Sequence, residues 1–568
     1  MTLKMEKLIA VARGQIPADL RLTNARIVNV FTGEIEPVNV AIAGGYIAGI
    51  GDYRQAKETI DLKGKYLLPG LINGHVHIES SMLDVGQYAR AVVPRGTTAL
   101  VTDLHEIANV CGLEGIRYVL ESARRLPLDI FLMAPSCVPA THMETAGAEI
   151  GVKEVRQLLR LKQCRGLGEV MNYPGVIFGD KTVLGKIDSA KGKVVDGHAP
   201  GLSGKDLNAY VSAGIQSDHE SVALEEAREK LRRGMHIMIR EGSSEKNLET
   251  LLPLVNNETY RRCLLVVDDR SCVDLLNDGD IDAVVRKAIR LGLNPVRAIQ
   301  MASINTAEYF RLERLGAVAP GYFANLIVTS DLATFSVDMV FYHGRLVGKD
   351  RKPLFSLQKS GKQTLNDTVK MKPFRVEALR LKAKGNAVPV IEIVPGQIIT
   401  KKCTMKVKIA DGYIVPDIRR DILKLVVVER HKRTGNIGVG LVTGFSLKRG
   451  ALASSIAHDS HNIVAVGTND ADIYTAVKEV ERIQGGLVVV ADGKVFASLP
   501  LPVAGLLSAE PLETVVKKLD RVEKAAADLG VKLVSPFSTL SFVALPVIPE
   551  LRLTDLGMVD VREFKLIN

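Results

Sequence analysis

Eight short apolar segments recur between residues 66 and 313, and a stretch that favours a helix follows each of them. They span residues 67–72, 99–103, 130–134, 166–170, 194–196, 215–217, 237–239 and 264–267. Short apolar segments that alternate with helices are typical of buried parallel strands. Their periodicity alone allows either a closed (β/α)8 barrel or an open doubly wound sheet.

Polar residues decide between these two topologies. Each apolar segment ends in a group of chemically active residues, in chain order HVH, DLHE, PSC, GEVMN, DGHAP, SDHE, REGS and DDR. Enzymes built on a barrel carry their active sites at the carboxyl ends of the strands. We therefore predict an α/β fold in which residues 66–313 form a TIM-like (β/α)8 barrel that carries the catalytic site.

Two β-rich stretches flank this predicted barrel. Residues 20–65 and 316–349 contain short alternating segments broken by Gly and Asn, which is the pattern of small β-sheets. We predict that both flanks form one split β-sandwich domain, residues 1–65 plus 314–365. Residues 366–568 are predicted to form an additional C-terminal α/β domain, whose polar motif HDSHN has no role that the sequence assigns.

Histidines and acids at the predicted strand ends indicate a metal centre. His75 and His77 are two residues apart, so both imidazoles point to the same face of a strand. A lone histidine at a strand end is more often structural than a ligand, but four of them with two acids at one barrel mouth are hard to assign to chance. Such a set can hold two metal ions bridged by a carboxylate. Its members are His75, His77, Glu169, His198, His219 and Asp268.

Composition indicates in which cellular compartment such a protein works and which partners it lacks. We find no secretion signal and no apolar segment of about 18 residues, so we expect neither export nor a membrane span. The six cysteines are scattered without a CxxC pair, which fits a reducing cytoplasm. The net charge of +10 is spread over many segments without interleaved aromatic residues, which argues against nucleic-acid binding. We expect a cytoplasmic homo-oligomer, a dimer.

Longer motifs resemble a known family. The strand-end histidines and aspartate resemble the amidohydrolase superfamily, and the text IESSM, HEIANVCG, GEVMNYPGV, DGHAPGLSGKDLNAY, AGIQSDHES and LKRGALASSIAHDSHNI is similar to bacterial adenine deaminases. This resemblance covers residues 20–568. It implies metal-dependent hydrolytic deamination of adenine to hypoxanthine and ammonia, a step of purine salvage. It also implies two divalent ions, Mn2+ or Fe2+, with Glu169 in the bridging place.

The implied reaction needs a group that accepts a proton from the attacking water. Metal coordination lowers the pKa of water towards about 7, and a carboxylate can then pass the proton to the departing ammonia. We expect Asp268 to be this catalytic base and Glu169 to be the second candidate, although either could be purely a ligand. Asp269 should point to the opposite face of the strand.

Residues beside the predicted ligands are candidates for binding the purine. They are His105 and Glu106 after the second segment, and Arg240 and Glu241 after the seventh. The alternative for all four is a ring of structural ion pairs around the barrel rim.

Asp280 departs from the family pattern, in which a histidine is expected at this position. Exchanging an imidazole for a carboxylate here is expected to change which edge of the purine ring is recognised, or to weaken turnover. Asp280→His should then raise the turnover of adenine. Two other functions stay open: a hydrolase of the same fold that acts on another heterocycle or a cyclic amide, and a relative that binds purine or metal without turnover. Retention of all six candidate ligands favours an enzyme.

Overall fold

A closed parallel barrel lies at the centre of the computed structural model, which describes residues 2–357 and 365–567. Five strands pair in sequence order, three more pair as a second group, and the eighth strand returns to the first. Gln216 N–H donates to Val195 O at 2.9 Å between the two groups. The strands are Leu71–Asn73 with Val76–His77, Thr97–Thr102, Asp129–Ala134, Cys164–Val170, Val194–Gly197, Ser217–Asp218, His236–Arg240, and Cys263–Val266 with Asp268–Asp269. The predicted barrel is confirmed.

The first predicted segment, residues 67–72, is two strands rather than one. Tyr66–Pro69 pairs antiparallel with Leu326–Thr329 in another sheet, whereas Leu71–Asn73 begins the barrel. Gly70 lies at this change, where an added Cβ would come within 2.2 Å of a threonine hydroxyl of the second barrel strand. The proline that ends the earlier strand also lacks the N–H that a longer ladder needs. The chain can therefore leave one sheet and enter the barrel within one residue.

Helices surround the barrel. One of them, Lys181–Ser189, begins after Asp180, whose side chain accepts hydrogen bonds from Thr182 N–H at 2.8 Å and Val183 N–H at 2.9 Å. The helices of this region are Val85–Val92, His105–Ala123, Val152–Leu159, Tyr173–Ile177, Lys181–Ser189, Gly204–Ser212, Leu224–Arg232, Leu248–Leu251, Cys272–Asn277, Ile281–Arg290, Pro295–Met301 and Ile304–Tyr309. Within the described part of the chain, no helix has both the length and the apolar character that crossing a membrane requires.

A nine-stranded sheet takes strands from both flanks of the barrel region. Tyr66–Pro69 lies in it between Ala18–Val28 and Leu326–Thr329. Its strands are Ala18–Val28, Ile35–Ala43, Tyr46–Ile50, Ala56–Asp61, Tyr66–Pro69, Leu326–Thr329, Val337–Tyr342, Arg345–Lys349 and Lys352–Pro353. Residues 358–364 of the predicted split domain lie outside the described residues. The extents of the three domains stay proposals.

The C-terminal region packs on the barrel mouth. Asp555 Oδ1 accepts a hydrogen bond from Thr145 N–H at 2.9 Å, and Asn462 Nδ2 donates to Thr145 O at 2.9 Å. Thr145 follows the third barrel strand, so these contacts lie at the carboxyl ends of the strands. The region has an eight-stranded sheet of Ala387–Ile393, Thr400–Lys406, Leu423–Val428, Ile437–Thr443, Ala451–Ser454, Ile463–Gly467, Gly486–Ala491 and Lys494–Pro500, with helices Asp470–Arg482, Leu512–Asp528 and Pro536–Phe542. Two smaller sheets are Leu381–Lys382, Lys408–Ala410 and Tyr413–Val415, and Leu551–Thr554, Gly557–Asp560 and Lys565–Ile567.

Asp280 lies in the barrel wall rather than at the strand ends. The side chain is fully buried. Its carboxylate accepts hydrogen bonds from Asn73 Nδ2 at 3.1 Å and from the Thr97 hydroxyl at 2.9 Å. Because Thr97 begins the second barrel strand, this contact is at the end opposite to the polar strand termini. The interpretation of Asp280 as a residue that faces the substrate is therefore wrong.

We expect Asp280→His to lower the free energy of unfolding and to leave substrate preference unchanged. The substitution takes the acceptor away from the Asn73 amide and the Thr97 hydroxyl, and each unsatisfied buried donor costs about 1–3 kcal/mol. Denaturant unfolding, with turnover measured per folded protein, checks this. Asp278→His is the control, because that side chain is 65% exposed. Raised turnover at unchanged stability would contradict the placement of Asp280.

Candidate metal centre and active site

His75 and His77 turn their imidazoles towards the last barrel strand. Asp268 Oδ1 lies 3.4 Å from His75 Nε2 and 3.2 Å from His77 Nε2. Asp268 N–H donates to His75 O at 2.9 Å, and Asp268–Asp269 pairs in parallel with Val76–His77. Closure of the barrel at this seam therefore brings the ends of the first and eighth strands to one group of ligand atoms.

Glu169 links this group to a second pair of histidines. Its Oε1 lies 3.3 Å from His77 Nε2 and 3.9 Å from His75 Nε2. Its Oε2 lies 2.9 Å from His198 Nδ1 and 3.3 Å from His219 Nε2. All six predicted ligands thus come together at the barrel mouth, and Glu169 lies where a carboxylate could bridge two ions.

Several buried atoms of this group have no hydrogen-bond partner among the described residues. They include His75 Nε2 and Glu169 Oε1, whose side chains are only 6% and 4% exposed. A buried polar atom without a partner is costly, and a bound cation removes that cost. Burial alone would raise the pKa of Glu169, but the neighbouring imidazoles of His105, His198 and His219 outweigh it and hold that pKa well below its usual range. Ionised carboxylates and unpaired imidazole nitrogens fit a divalent metal.

Asp269 does not face away from the site, contrary to the expectation from strand alternation. Asp268 has a φ of 64°, in the left-handed region, so the regular alternation of faces breaks between these two residues. Asp269 accepts a hydrogen bond from the Ser80 hydroxyl and lines a cavity at the barrel mouth. Two neighbouring carboxylates therefore lie at the barrel mouth.

Two further acids lie within reach of the ligand atoms, and neither is among the site residues predicted from the sequence. Asp103 Oδ1 lies 3.0 Å from His105 Nδ1 and 3.5 Å from His77 Nδ1. Glu220 Oε1 lies 3.8 Å from His198 Nδ1. Both acids belong to the strand-end groups DLHE and SDHE, so the barrel rule that selected their neighbours could have selected them as well.

The four predicted substrate-binding residues lie in different surroundings, and not all of them reach the cavity. Glu106 lines the cavity. His105 lies between Glu106 and the predicted ligands, with Nδ1 3.3 Å from Glu169 Oε1 and Nε2 3.4 Å from Glu106 Oε1. Glu241 pairs with Lys287 and also accepts a backbone N–H, and it is not among the described residues that line the cavity.

Arg240, the fourth of them, is buried against two acids. Its Nη1 donates to Asp268 Oδ2 at 2.8 Å and also bonds to Glu220, while its Nε donates to Asn247 Oδ1 at 3.0 Å. Burial alone would lower the pKa of Arg240, but the charges of Glu220 and Asp268 outweigh it and raise that pKa. The guanidinium thus stays charged and holds the Asp268 carboxylate in place.

A cavity of about 120 Å³ lies between the barrel mouth and the C-terminal region. Its barrel side is polar and includes Glu79, Ser80, Glu106 and Asp269, whereas its C-terminal side includes the apolar residues Leu506, Phe537 and Phe542. Glu79 Oε1 accepts Ile107 N–H at 3.1 Å, and its buried Oε2 has no partner among the described residues. A cavity with polar and apolar sides suits a heteroaromatic ring.

The C-terminal motif HDSHN reaches this cavity. His458 and His461 line it, and both contact Glu106 of the barrel. This role could not be predicted from the sequence, because 352 residues separate His458 from Glu106. A polar motif without a local partner was the signal, but only the packing of the two regions shows where it acts.

Comparison with known proteins agrees with this arrangement. Residues 66–347 match the amidohydrolase family, and residues 397–565 match the adenine deaminase C-terminal domain. An adenine deaminase of Dehalococcoides mccartyi is 64% identical over 567 residues, which cover 100% of this chain and 99% of that protein. Adenine deaminase 2 of Carboxydothermus hydrogenoformans is 50% identical, with 99% of each chain covered. The adenine deaminase of Halalkalibacterium halodurans is 46% identical and covers 100% of this chain and 98% of its own length.

Both the metal-fitting residues of the barrel and the C-terminal region lie within these matches. The matched ranges span both the strand ends and the HDSHN motif. The chain belongs to the adenine deaminase family of amidohydrolases.

Proposed function

We propose that this chain hydrolyses adenine to hypoxanthine and ammonia with two divalent metal ions, Mn2+ or Fe2+. The observation that carries the proposal is the convergence of buried histidines and carboxylates beside a cavity with polar and apolar sides. The choice of adenine as the substrate rests on relatives named adenine deaminase that match over the full length of the chain. A cytoplasmic location, a dimer and a role in purine salvage belong to the same proposal.

Two groups of residues would hold the ions, and Glu169 would belong to both. The first group is His75, His77 and Asp268, the second is His198 and His219, and Glu169 directs Oε1 to the first and Oε2 to the second. A divalent ion bound in such a site lowers the pKa of a coordinated water towards about 7, which supplies a nucleophile for C6 of the purine at neutral pH.

Asp268 would move the proton. We assign this step to its Oδ2, which the Arg240 guanidinium holds at 2.8 Å while Oδ1 faces His75 and His77. The carboxylate accepts a proton from the attacking water and returns it to the exocyclic nitrogen, so that ammonia leaves. The second proton of the water ends on the ring nitrogen of hypoxanthine, which balances the reaction. Arg240 then positions Asp268 rather than contacting the purine, and Glu169 stays the second candidate for the base.

The purine would lie in the cavity with C6 towards the metal ligands. Glu79 and Asp269 are barrel carboxyls on the cavity wall, and Glu79 Oε2 has no hydrogen-bond partner among the described residues. His105 joins this wall to Glu169, at 3.3 Å. The ring would pack against Phe537 and Phe542 on the opposite side.

The test is ammonia release by protein expressed with added Mn2+, with metal content measured on the same preparation. Adenine should give hypoxanthine and ammonia in equal amounts, and guanine, cytosine and a cyclic amide should give far less product. Preference for another heterocycle or for the cyclic amide would overturn the substrate. Binding of adenine without any product would favour a binding protein instead.

A further inference from the structure

Glu106 is held from the C-terminal domain through both of its oxygens. His458 Nδ1 lies 2.6 Å from Glu106 Oε1, and His461 Nε2 hydrogen bonds with Glu106 Oε2. Each oxygen of the carboxylate therefore already has a histidine partner from the C-terminal region. Glu106 is better placed to orient a histidine than to bind a ligand.

His461 is a fixed anchor of this arrangement. Ala457 N–H donates to His461 Nδ1 at 3.2 Å, so Nδ1 is the acceptor and Nε2 carries the hydrogen that points to Glu106. Burial lowers the pKa of His461 to about 4, although the charge of Glu106 opposes the shift. The ring is thus neutral, and both of its nitrogens are engaged.

His458 differs from His461 because one of its nitrogens is left for a ligand. Its Nδ1 bonds to Glu106, and its Nε2 has no hydrogen bond to any described residue. The ring stacks on Phe542, with centroids 4.5 Å apart and planes inclined by 21°. The side chain is 13% exposed and lines the cavity. Stacking and the Glu106 bond together fix the ring plane.

Position within the cavity decides which part of a purine this nitrogen could meet. From Glu169 Oε1 the contacts run to His105 Nδ1 at 3.3 Å, from His105 Nε2 to Glu106 Oε1 at 3.4 Å, and on to His458 Nδ1 at 2.6 Å. His458 is thus several contacts away from the ligand group, where the reacting C6 must lie. The five-membered ring, whose N9 is its atom farthest from C6, is then the part of a fused purine that can reach His458.

We propose that His458 binds the five-membered ring of the purine base through Nε2, so that the C-terminal domain selects the substrate of the barrel. Glu106 and His461 are positioning residues that orient His458. This inference rests on the proposed deaminase function. The ligand class is a free base whose N7 or N9 edge is open to an imidazole, with Phe537 and Phe542 beside the ring.

Two substitutions at His458 separate the roles of its nitrogens. His458→Asn keeps a donor near the position of Nδ1 for Glu106 and removes Nε2, whereas His458→Gln keeps a polar atom near Nε2 and loses the Glu106 bond. We expect kcat/KM for adenine to fall about 10- to 100-fold in His458→Asn, mainly through KM, because one hydrogen bond to the substrate is lost. His458→Gln should fall less. Glu106→Gln should also lower kcat/KM for adenine, as His458→Asn does, and should leave metal content unchanged.

Purine analogues test whether His458 contacts the substrate. If His458 were merely structural, its substitution would not change the ratio of kcat/KM on an analogue to kcat/KM on adenine. 7-Deazaadenine removes the N7 acceptor, and 9-methyladenine removes the N9 donor. The wild-type protein should lose kcat/KM on at least one analogue relative to adenine, and this penalty should shrink to within about threefold in His458→Asn, because the contact is already missing. Penalties of equal size in wild type and variant would overturn the proposal, as would a wild type that processes both analogues as well as adenine.

The comparison of adenine with its two analogues, in wild type and in His458→Asn, also distinguishes failure of this inference from failure of the proposed function. If the wild type releases no ammonia, binding constants for adenine and both analogues replace kcat/KM in the comparison. The proposed function then fails, while the same comparison of binding constants still decides the role of His458. His142→Ala is the matched histidine control, since that side chain is exposed and lies outside the described cavity lining. It should leave every ratio unchanged.

Discussion

A His198→Ala, His219→Ala double variant is expected to lose about one equivalent of bound metal and nearly all of its activity. Both imidazoles face Glu169 Oε2, at 2.9 Å for His198 Nδ1 and 3.3 Å for His219 Nε2. A divalent metal normally takes at least three protein ligands, and the double variant leaves this group with Glu169 alone. The fall in kcat/KM should be at least that of losing a general base, about 10²–10⁴-fold. Metal analysis and ammonia release on the same preparation measure both effects.

The His142→Ala variant again serves as the control, because it removes an exposed imidazole that lies outside the described cavity lining. Its metal content and activity should equal those of the wild type. Normal metal content in the double variant would contradict the assignment of His198 and His219 as ligands, whatever happens to activity. Restored activity at high Mn2+ would instead support it, since weaker binding can be offset by concentration.

The barrel and its strand-end residues could be predicted because both follow from local pattern. Each barrel strand is short and buried, and most pair with the next strand along the chain, so chain order reports spatial order. A rule about the carboxyl ends of strands then selects His75, Glu169 and Asp268 without any knowledge of distances. The expectation that side chains alternate between the two faces of a strand failed at Asp269, because the left-handed φ of Asp268 breaks this alternation.

Contacts between distant parts of the chain could not be predicted in this way. His458 meets Glu106 across 352 residues, and no period or motif in either segment encodes the meeting. Asp280 illustrates the opposite error, since a comparison of residue types placed it at the substrate while its hydrogen bonds to Asn73 and Thr97 place it in the barrel wall. Residue identity predicts chemistry, but packing decides which residue performs it.

An Asp268→Asn variant is expected to lose about 10²–10⁴-fold in kcat while KM changes much less. The amide keeps one oxygen for the side of His75 and His77, where Asp268 Oδ1 lies at 3.4 Å and 3.2 Å from their Nε2 atoms. It removes the basic oxygen that Arg240 holds at 2.8 Å, and so the group that would carry the proton to the departing ammonia. Metal content should stay close to that of the wild type, because the remaining oxygen can still serve as a ligand.

Arg240→Gln is the variant that tests whether this loss belongs to Asp268 itself. In Asp268→Asn the new NH2 group can face the Arg240 guanidinium, and two donors in contact would push Arg240 towards Glu220, its other partner. Arg240→Gln removes the guanidinium but leaves the carboxylate able to accept a proton, so its kcat should fall less than that of Asp268→Asn. Asp206→Asn, an exposed carboxylate on the helix Gly204–Ser212, should lose nothing and controls for the substitution as such. If Arg240→Gln matches or exceeds the loss in Asp268→Asn with metal intact, proton transfer does not belong to Asp268, and Glu169 becomes the base to test.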